Sequence, residues 1–344
     1  MTKEAFLSEL SRLTGALNEQ ERARLVDYYA EMIDDRVEEG VPEETAVAAL
    51  GDPADIAREF APALTPTEKS DGSEAVDALD NLRVRVGNAD VRIIREMLEN
   101  GAAAQLRFSD PARFEWRMEG GTLVIEECMP EGERFSLRWL KRMVFESDLH
   151  LTVALSGGLA GSLEMASGGG DLSVENVTVG GDARLHTASG DIEASDLRVN
   201  GSARLESASG DVEMRNFDCG KLTLTTASGD IEVDRGACGA SDIHSASGDV
   251  RLDEVQADPT LSVETASGDI DLTRCIARET RVKAVSGDVA LRLEPLPCGY
   301  DITANTVSGD VRFGDSCKGD APGAEKPVIR VSTVSGDIEA RLLA

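Results

Sequence analysis

The chain has 344 residues, enough for two or three domains with a sizeable core. Its 64 acidic residues against 35 basic ones leave a formal net charge of −29, a field that repels phosphate backbones and anionic headgroups. Nucleic acid is thereby excluded as a partner, and cationic partners or divalent ions are favoured. Aromatic residues make up only 4%, so any core is filled by Ala, Val, Leu and Ile, which suits thin, regular packing.

The N-terminal stretch MTKEAFLSELSRLTGALNEQ carries acids from Glu4 onward and no apolar block of signal-peptide length. No run in the chain reaches the ~18 apolar residues of a membrane span, so no direct membrane insertion is expected. The six cysteines, at 128, 219, 238, 275, 298 and 317, form no Cys-x-x-Cys pair, which points away from a zinc ribbon or a redox dithiol. The expectation is a cytoplasmic protein with reduced thiols. Association with the cell surface by an unrecognised route is the alternative.

The first sixty residues read as four short helices. Phe6, Leu7, Leu10 and Leu13 recur at helical spacing. Asn18 with Glu21 forms a capping box for a second helix carrying Leu25, Tyr28, Tyr29, Met32 and Ile33. Gly40 offers a left-handed stop, and Pro42, Glu43 and Glu44 make a new first turn. In LGDPADIAREF, Gly51 ends that helix, Asp52 caps the next, and Pro53 takes its first position.

These residues also resemble a known family. The Phe-Leu-x-x-Leu start, the Tyr-Tyr-x-Glu centre and the Leu-Gly-x-Pro before the last helix are similar to the bacterial HAAS domain (DUF1700) over residues 1–63. The resemblance implies a signalling-associated helical module, often encoded beside PadR-like regulators and often joined to membrane segments; this chain shows no such segment. Residues 64–77, rich in Pro, Ser, Thr and charge, read as a linker.

From residue 78 the period becomes two. LRVRVGNADVRII alternates around a Gly-Asn turn and GTLVIEE reads as another strand. PEGERFSLRWLKRMVFESD is irregular and is expected as a loop or a short amphipathic piece covering an end of the repeat region. Then Ser-Gly-Asp followed by Ile or Val recurs eight times, with Asp at 191, 211, 230, 249, 269, 288, 310 and 337, and ASGGGDLSV places Asp171 one step earlier. A period near 20 residues is the signature of a solenoid. Aligned on the Asp, apolar residues stand one and three places later and mostly charged ones between them, as in a strand with one wet face. Each period is expected to hold two short strands and two bends. About nine periods stacked at ~4.8 Å would make a rod on the order of 40 Å long. The expected fold is therefore multidomain α + β: a small helical bundle, then an all-β solenoid-like domain over 78–344 of about 20 residues per rung, regular from about 165. The long final steps suggest an atypical capping end.

This half resembles the DUF4097 family, a bacterial β-strand-repeat group carrying an adhesin label, through VRVGNADVRII, GTLVIEE and the repeated SGD-I/V. The resemblance implies the architecture; function does not follow from fold.

The eight aspartates Asp191, Asp211, Asp230, Asp249, Asp269, Asp288, Asp310 and Asp337 are candidate Ca²⁺ ligands, as in other acidic repeats. One carboxylate per rung is few for an ion that takes six to eight oxygens. The competing reading is structural: Gly190, Gly210 and Gly229 supply unusual backbone angles, while Ser189, Ser209, Ser228 and the Asp side chains bond local amides. Cys219 and Cys238, each eight residues after its Asp, should stack as a buried apolar ladder or, if oxidised, a disulfide. His186 and His244 share an offset three rungs apart, about 14 Å, too far for one metal ion. No base recurs beside the serines and no nucleophile elbow or phosphate loop is present. The expectation is a non-enzymatic scaffold with no cofactor, binding a protein partner or itself, in bacterial regulation or envelope stress. Outward columns such as Glu193, Glu213 and Glu232 are its candidate surface. A cell-surface adhesin is the alternative, with a polysaccharide-active enzyme third.

Overall fold

The computed structural model describes residues 1–14, 22, 26, 29–30, 33, 36–37, 42–48, 50, 52–54, 72–98, 101–128, 149–314 and 326–343. The chain divides into two compact units, one holding residues 1–70 and 129–148, the other 71–128 and 149–344. The expected irregular piece at 130–148, Asn18, Glu21, Gly40, Gly51 and the linker residues 64–71 lie outside the described residues. Residues Gly72–Val76 of the expected linker are instead a strand, paired antiparallel with Ala104–Phe108. Alternate apolar side chains do not mark so short an outer strand.

In the first unit, helix Lys3–Leu13 starts at Thr2, whose hydroxyl accepts from the Ala5 amide at 3.3 Å. Phe6 and Leu10 are buried, and Phe6 meets the Tyr29 ring at 5.9 Å. Pro42 precedes helix Glu43–Ala48, which buries Ala46 and Val47. Asp52 accepts from the Ala54 amide at 2.8 Å, the capping role its position implied. No described helix is long and apolar enough to cross a membrane.

The second unit is a stack of parallel rungs. Leu163–Ser167 pairs in register with Ala183–Thr187, which pairs with the end of Arg198–Ser207; Leu172–Glu175, Ile192–Ser195 and the start of Val212–Thr226 make a second column. The expectation of two strands per period needs correction. A third short strand comes after the second bend, as Thr178–Val179 against Arg198–Val199 and Cys219 against Cys238. The bend between the second and third strands falls on Asn176, Asp196, Asn216, Arg235, Glu254 and Arg274, all with φ between 51° and 56°. Six stacked non-glycine residues hold this left-handed conformation, so no glycine signals it in the sequence.

The interior is made of aliphatic ladders. Leu185, Leu205, Leu224, Ile243, Val263, Val282 and Val331 form one column, and Ile192, Val212, Ile231, Val250, Ile270, Val289 and Ile338 another, all buried. Each such side chain contributes about 1.5–3 kcal/mol by leaving water.

At the N-terminal end, Asn81–Val86 pairs parallel with Leu163–Ser167, and Asp90–Arg95 with Leu172–Glu175. The Gly-Asn turn is thus the first rung of the same stack, although some 80 residues separate it in sequence from the second. Glu127 closes that turn: its Oε2 accepts from the Gly87 and Asn88 amides at 2.7 and 3.0 Å, and Arg113 pairs with its other oxygen.

The C-terminal end is not stacked in chain order. Val328–Ser335 lies between Ile276–Ser286 and Asp301–Ser308, and Ile338–Leu342 between Val289–Leu293 and Val311–Phe313. The last repeat inserts between its two predecessors, which is why the final steps lengthen to 22 and 27 residues. The end of the stack in space is therefore the rung at Asp310. Val311 and Phe313, aligned with the inward columns, are exposed there because no further described rung covers them.

Candidate functional site

The repeated turn builds a continuous carboxylate ridge. Asp90 Oδ1 accepts from the Asp171 amide at 2.9 Å, Asp171 from Asp191 at 2.8 Å, and Asp191 from Asp211 at 2.8 Å. The chain of bonds continues through Asp230, Asp249, Asp269 and Asp288, then Asp337, and ends at Asp310, with every length between 2.7 and 2.9 Å. Each Asp thus satisfies the backbone donor of the next rung. Asp90, with Ala89 in place of glycine, belongs to the same ladder; only its Asp, at a matching position in an alternating strand, marks it in the sequence.

The glycine is required by close stacking. A Cβ on Gly190 would lie 2.2 Å from the Gly170 carbonyl oxygen, and one on Gly229 2.1 Å from that of Gly210. Unusual backbone angles, expected at every copy, occur within the repeated triplet only at Gly268, Gly287, Gly309 and Gly336, where φ is 146–152°.

The serines do not play the part expected of them. Ser189, Ser209 and Ser228 stand exposed at the tip, and the hydroxyl that closes the turn comes two residues earlier. Thr187 accepts from the Gly190 amide at 3.1 Å and donates to the Gly170 carbonyl at 3.3 Å; Ser207 and Thr226 repeat the arrangement. These hydroxyls are buried, and a Ser or Thr four places before the Asp in every Ser-Gly-Asp copy but that of Asp288, which has Ala284, is the signal for them in the sequence.

Because Oδ1 of each Asp up to Asp337 is taken by the next amide, the ridge offers outward mainly one oxygen per rung. Arginines occupy part of that row: Arg251 bonds Asp249 at 2.7 Å, and Arg312 bonds Asp310 at 2.9 Å. Among the described residues no group of three His, Cys, Asp or Glu side chains is arranged to hold a metal ion.

Beside the ridge, Glu193, Glu213 and Glu232 stack in strict register. Arg215 lies 4.0 Å from Glu193 and is ion-paired to Glu213. Arg251 is the next member of the column. His186 stands opposite Glu206, and His244 lies 3.7 Å from Glu264; the register keeps the two histidines three rungs apart.

Cys219 and Cys238 are register partners, as their offset implies, and both are free thiols. The neighbouring thiol and burial push the Cys219 thiol up. Burial raises Cys275 to about 12. Cys317 lies outside the described residues. The left-handed bends border an open groove of about 450 Å³, lined by Asn176, Asp196, Asn216, Arg235 and Glu254, with groups of both signs.

A parallel stack of rungs whose turns carry a carboxylate ladder, in one chain with a small helical part, defines a β-rich repeat protein. The chain belongs to the Toastrack DUF4097 family, whose model matches residues 79–341, and a HAAS model matches residues 5–59. Similar solved structures include a candidate adhesin from Bacteroides fragilis, 13% identical, with a TM-score of 0.39, covering 79% of this chain and 95% of that one. A candidate adhesin from Parabacteroides distasonis is 12% identical with a TM-score of 0.43, covering 78% and 96%. A candidate lipid-binding protein from Parabacteroides distasonis is 16% identical with a TM-score of 0.39, covering 79% and 96%. No curated protein matches the chain.

Proposed function

We propose that this chain is a non-enzymatic interaction scaffold, in which the solenoid presents an acidic face to a protein partner with complementary basic side chains. The observation that carries this reading is the in-register stack of Glu193, Glu213 and Glu232 beside the aspartate ridge. Like charges directly opposite in a sheet destabilise it by a few tenths of a kcal/mol or more per pair. Arg215 offsets part of that cost at Glu193 and Glu213, and the three like charges still face outward on successive rungs, a run that supports a surface role. The helical module would link the solenoid to a signalling component, and residues 1–63 and 71–344 serve as the halves for testing, the second retaining the strand Gly72–Val76.

Affinity capture from the producing cells tests the proposal, using the full chain and a Glu193→Lys, Glu213→Lys, Glu232→Lys variant. A partner retained by the native chain and lost with the variant is expected. Equal capture by both would sink the column as the site. Cell fractionation separates this reading from that of a surface adhesin, which requires the chain on the outside.

A further inference from the structure

The two ends of the solenoid are finished differently. At the N-terminal end the outer strands among the described residues are Gly72–Val76 and Phe114–Glu119. The second carries Glu115, Arg117 and Glu119, and Arg117 is ion-paired to Glu119 and Glu126. Charge along an edge is how natural sheets block further pairing.

At the opposite end the charges among the described residues sit at the margins of the edge: Asp301 opens one outer strand, and Arg312 of the other is ion-paired to Asp310 and Asp337. Asp301–Ser308 and Val311–Phe313 pair on one side only among the described residues, with Val328–Ser335 and Ile338–Leu342. From Ile302 to Ser308 there is no charged residue and no proline, whereas the adjacent rungs carry Arg330 and then Arg281 and Lys283 at the corresponding outward positions. The interior ladders end open, with Phe313 48% exposed above buried Ala340. The alanine column at the turn tip (Ala188, Ala208, Ala227, Ala246, Ala266) changes at this end to Val285, Val334 and Val307, which are 55, 50 and 83% exposed. Five of the nine strongly exposed large apolar side chains among the described residues gather here.

We propose that this end rung is a homodimer interface, on which a second copy of the chain docks head to head about a two-fold axis. An edge strand turned about a two-fold axis in the end plane meets its equivalent antiparallel, so the open hydrogen-bonding row is complementary to itself. The opposite end presents two outer strands that run antiparallel to their neighbours, one of them carrying three charges, and so does not match this edge; the assembly closes at two copies. An eight-residue strand is about 26 Å long, and a two-sheet end face about 20 Å wide covers roughly 500 Å² per partner. That is below the ~800 Å² per partner of a standard stable interface, so the dimer is concentration-dependent. The net charge of −29 on each copy opposes it, and added salt tightens it.

Sedimentation velocity of the full chain across a concentration series, at low and high salt, tests the assignment. A monomer–dimer equilibrium on the order of micromolar, tighter at high salt, is expected. Thr303→Lys and Val307→Lys, both at exposed positions, should each weaken it at least about tenfold, equivalent to about 1.4 kcal/mol. Met118→Lys, on the opposite edge, should leave it unchanged. Circular dichroism and melting show whether each variant is folded, and Val307, at a turn tip, serves if Thr303→Lys does not fold. A chain monomeric at every concentration overturns the proposal. So does a dimer indifferent to both lysines, one abolished by Met118→Lys, or species that keep growing beyond two copies.

Discussion

Within the repeat, the work is divided among three residues differently from what their chemistry first suggests. The aspartate is an acceptor for the next rung's amide, the glycine makes room for the preceding carbonyl, and the buried hydroxyl four places before the Asp closes the turn. Asp230→Ala should strand the Asp249 amide and cost about 1 kcal/mol, while Asp230→Asn, which keeps the acceptor, should cost much less. Chemical denaturation of the two variants measures the difference. Gly229→Ala drives a methyl against the Gly210 oxygen and forces two rungs apart. A loss of about 3 kcal/mol is expected, the upper end for overpacking, read as a lowered denaturation midpoint with an unchanged slope.

At the level of elements, ion pairs tie the first rung, Asn81–Val86 and Asp90–Arg95, to its neighbours. Glu127 is 5% exposed at its side chain and holds Arg113 and the first turn together. Glu127→Ala leaves a largely buried guanidinium without its partner and should cost about 3 kcal/mol, measured by thermal or denaturant unfolding. Glu164 bonds Arg83 at 2.7 Å across the junction of the first two rungs, and this bond, with Arg85 nearby, holds its carboxyl below the usual range. A depressed carboxylate stabilises the fold above its unfolded pKa, about 4.3, and that contribution disappears as pH falls through the folded value. The melting difference between native chain and Glu164→Gln should therefore be largest above pH ~5 and shrink below pH ~4. A difference independent of pH would mean the pair contributes nothing through its charge.

On the scale of the molecule, the net charge is −29, and the acidic side chains that the solenoid stacks in columns repel one another. Salt should raise the melting midpoint by screening that repulsion, and excess EDTA should leave it unmoved if the aspartate ladder holds amides rather than calcium. A fall on chelation, restored by Ca²⁺, would return the ladder to the metal reading.

The sequence by itself determined the period, the inward and outward faces, the stacking of Cys219 on Cys238 and the two-part organisation, because each depends on residues repeating at a fixed spacing along the chain. Only the tertiary structure decided that Asp90 starts the ladder, that the third strand comes after a left-handed bend, and that the last repeat slips between its two predecessors. Those features are made by contacts between rungs tens of residues apart, where pairing is set by which edge stands open and which side chains can cover it. The same contacts leave the Asp310 rung outermost, so the residues that read as core at Val311 and Phe313 lie at an uncovered end.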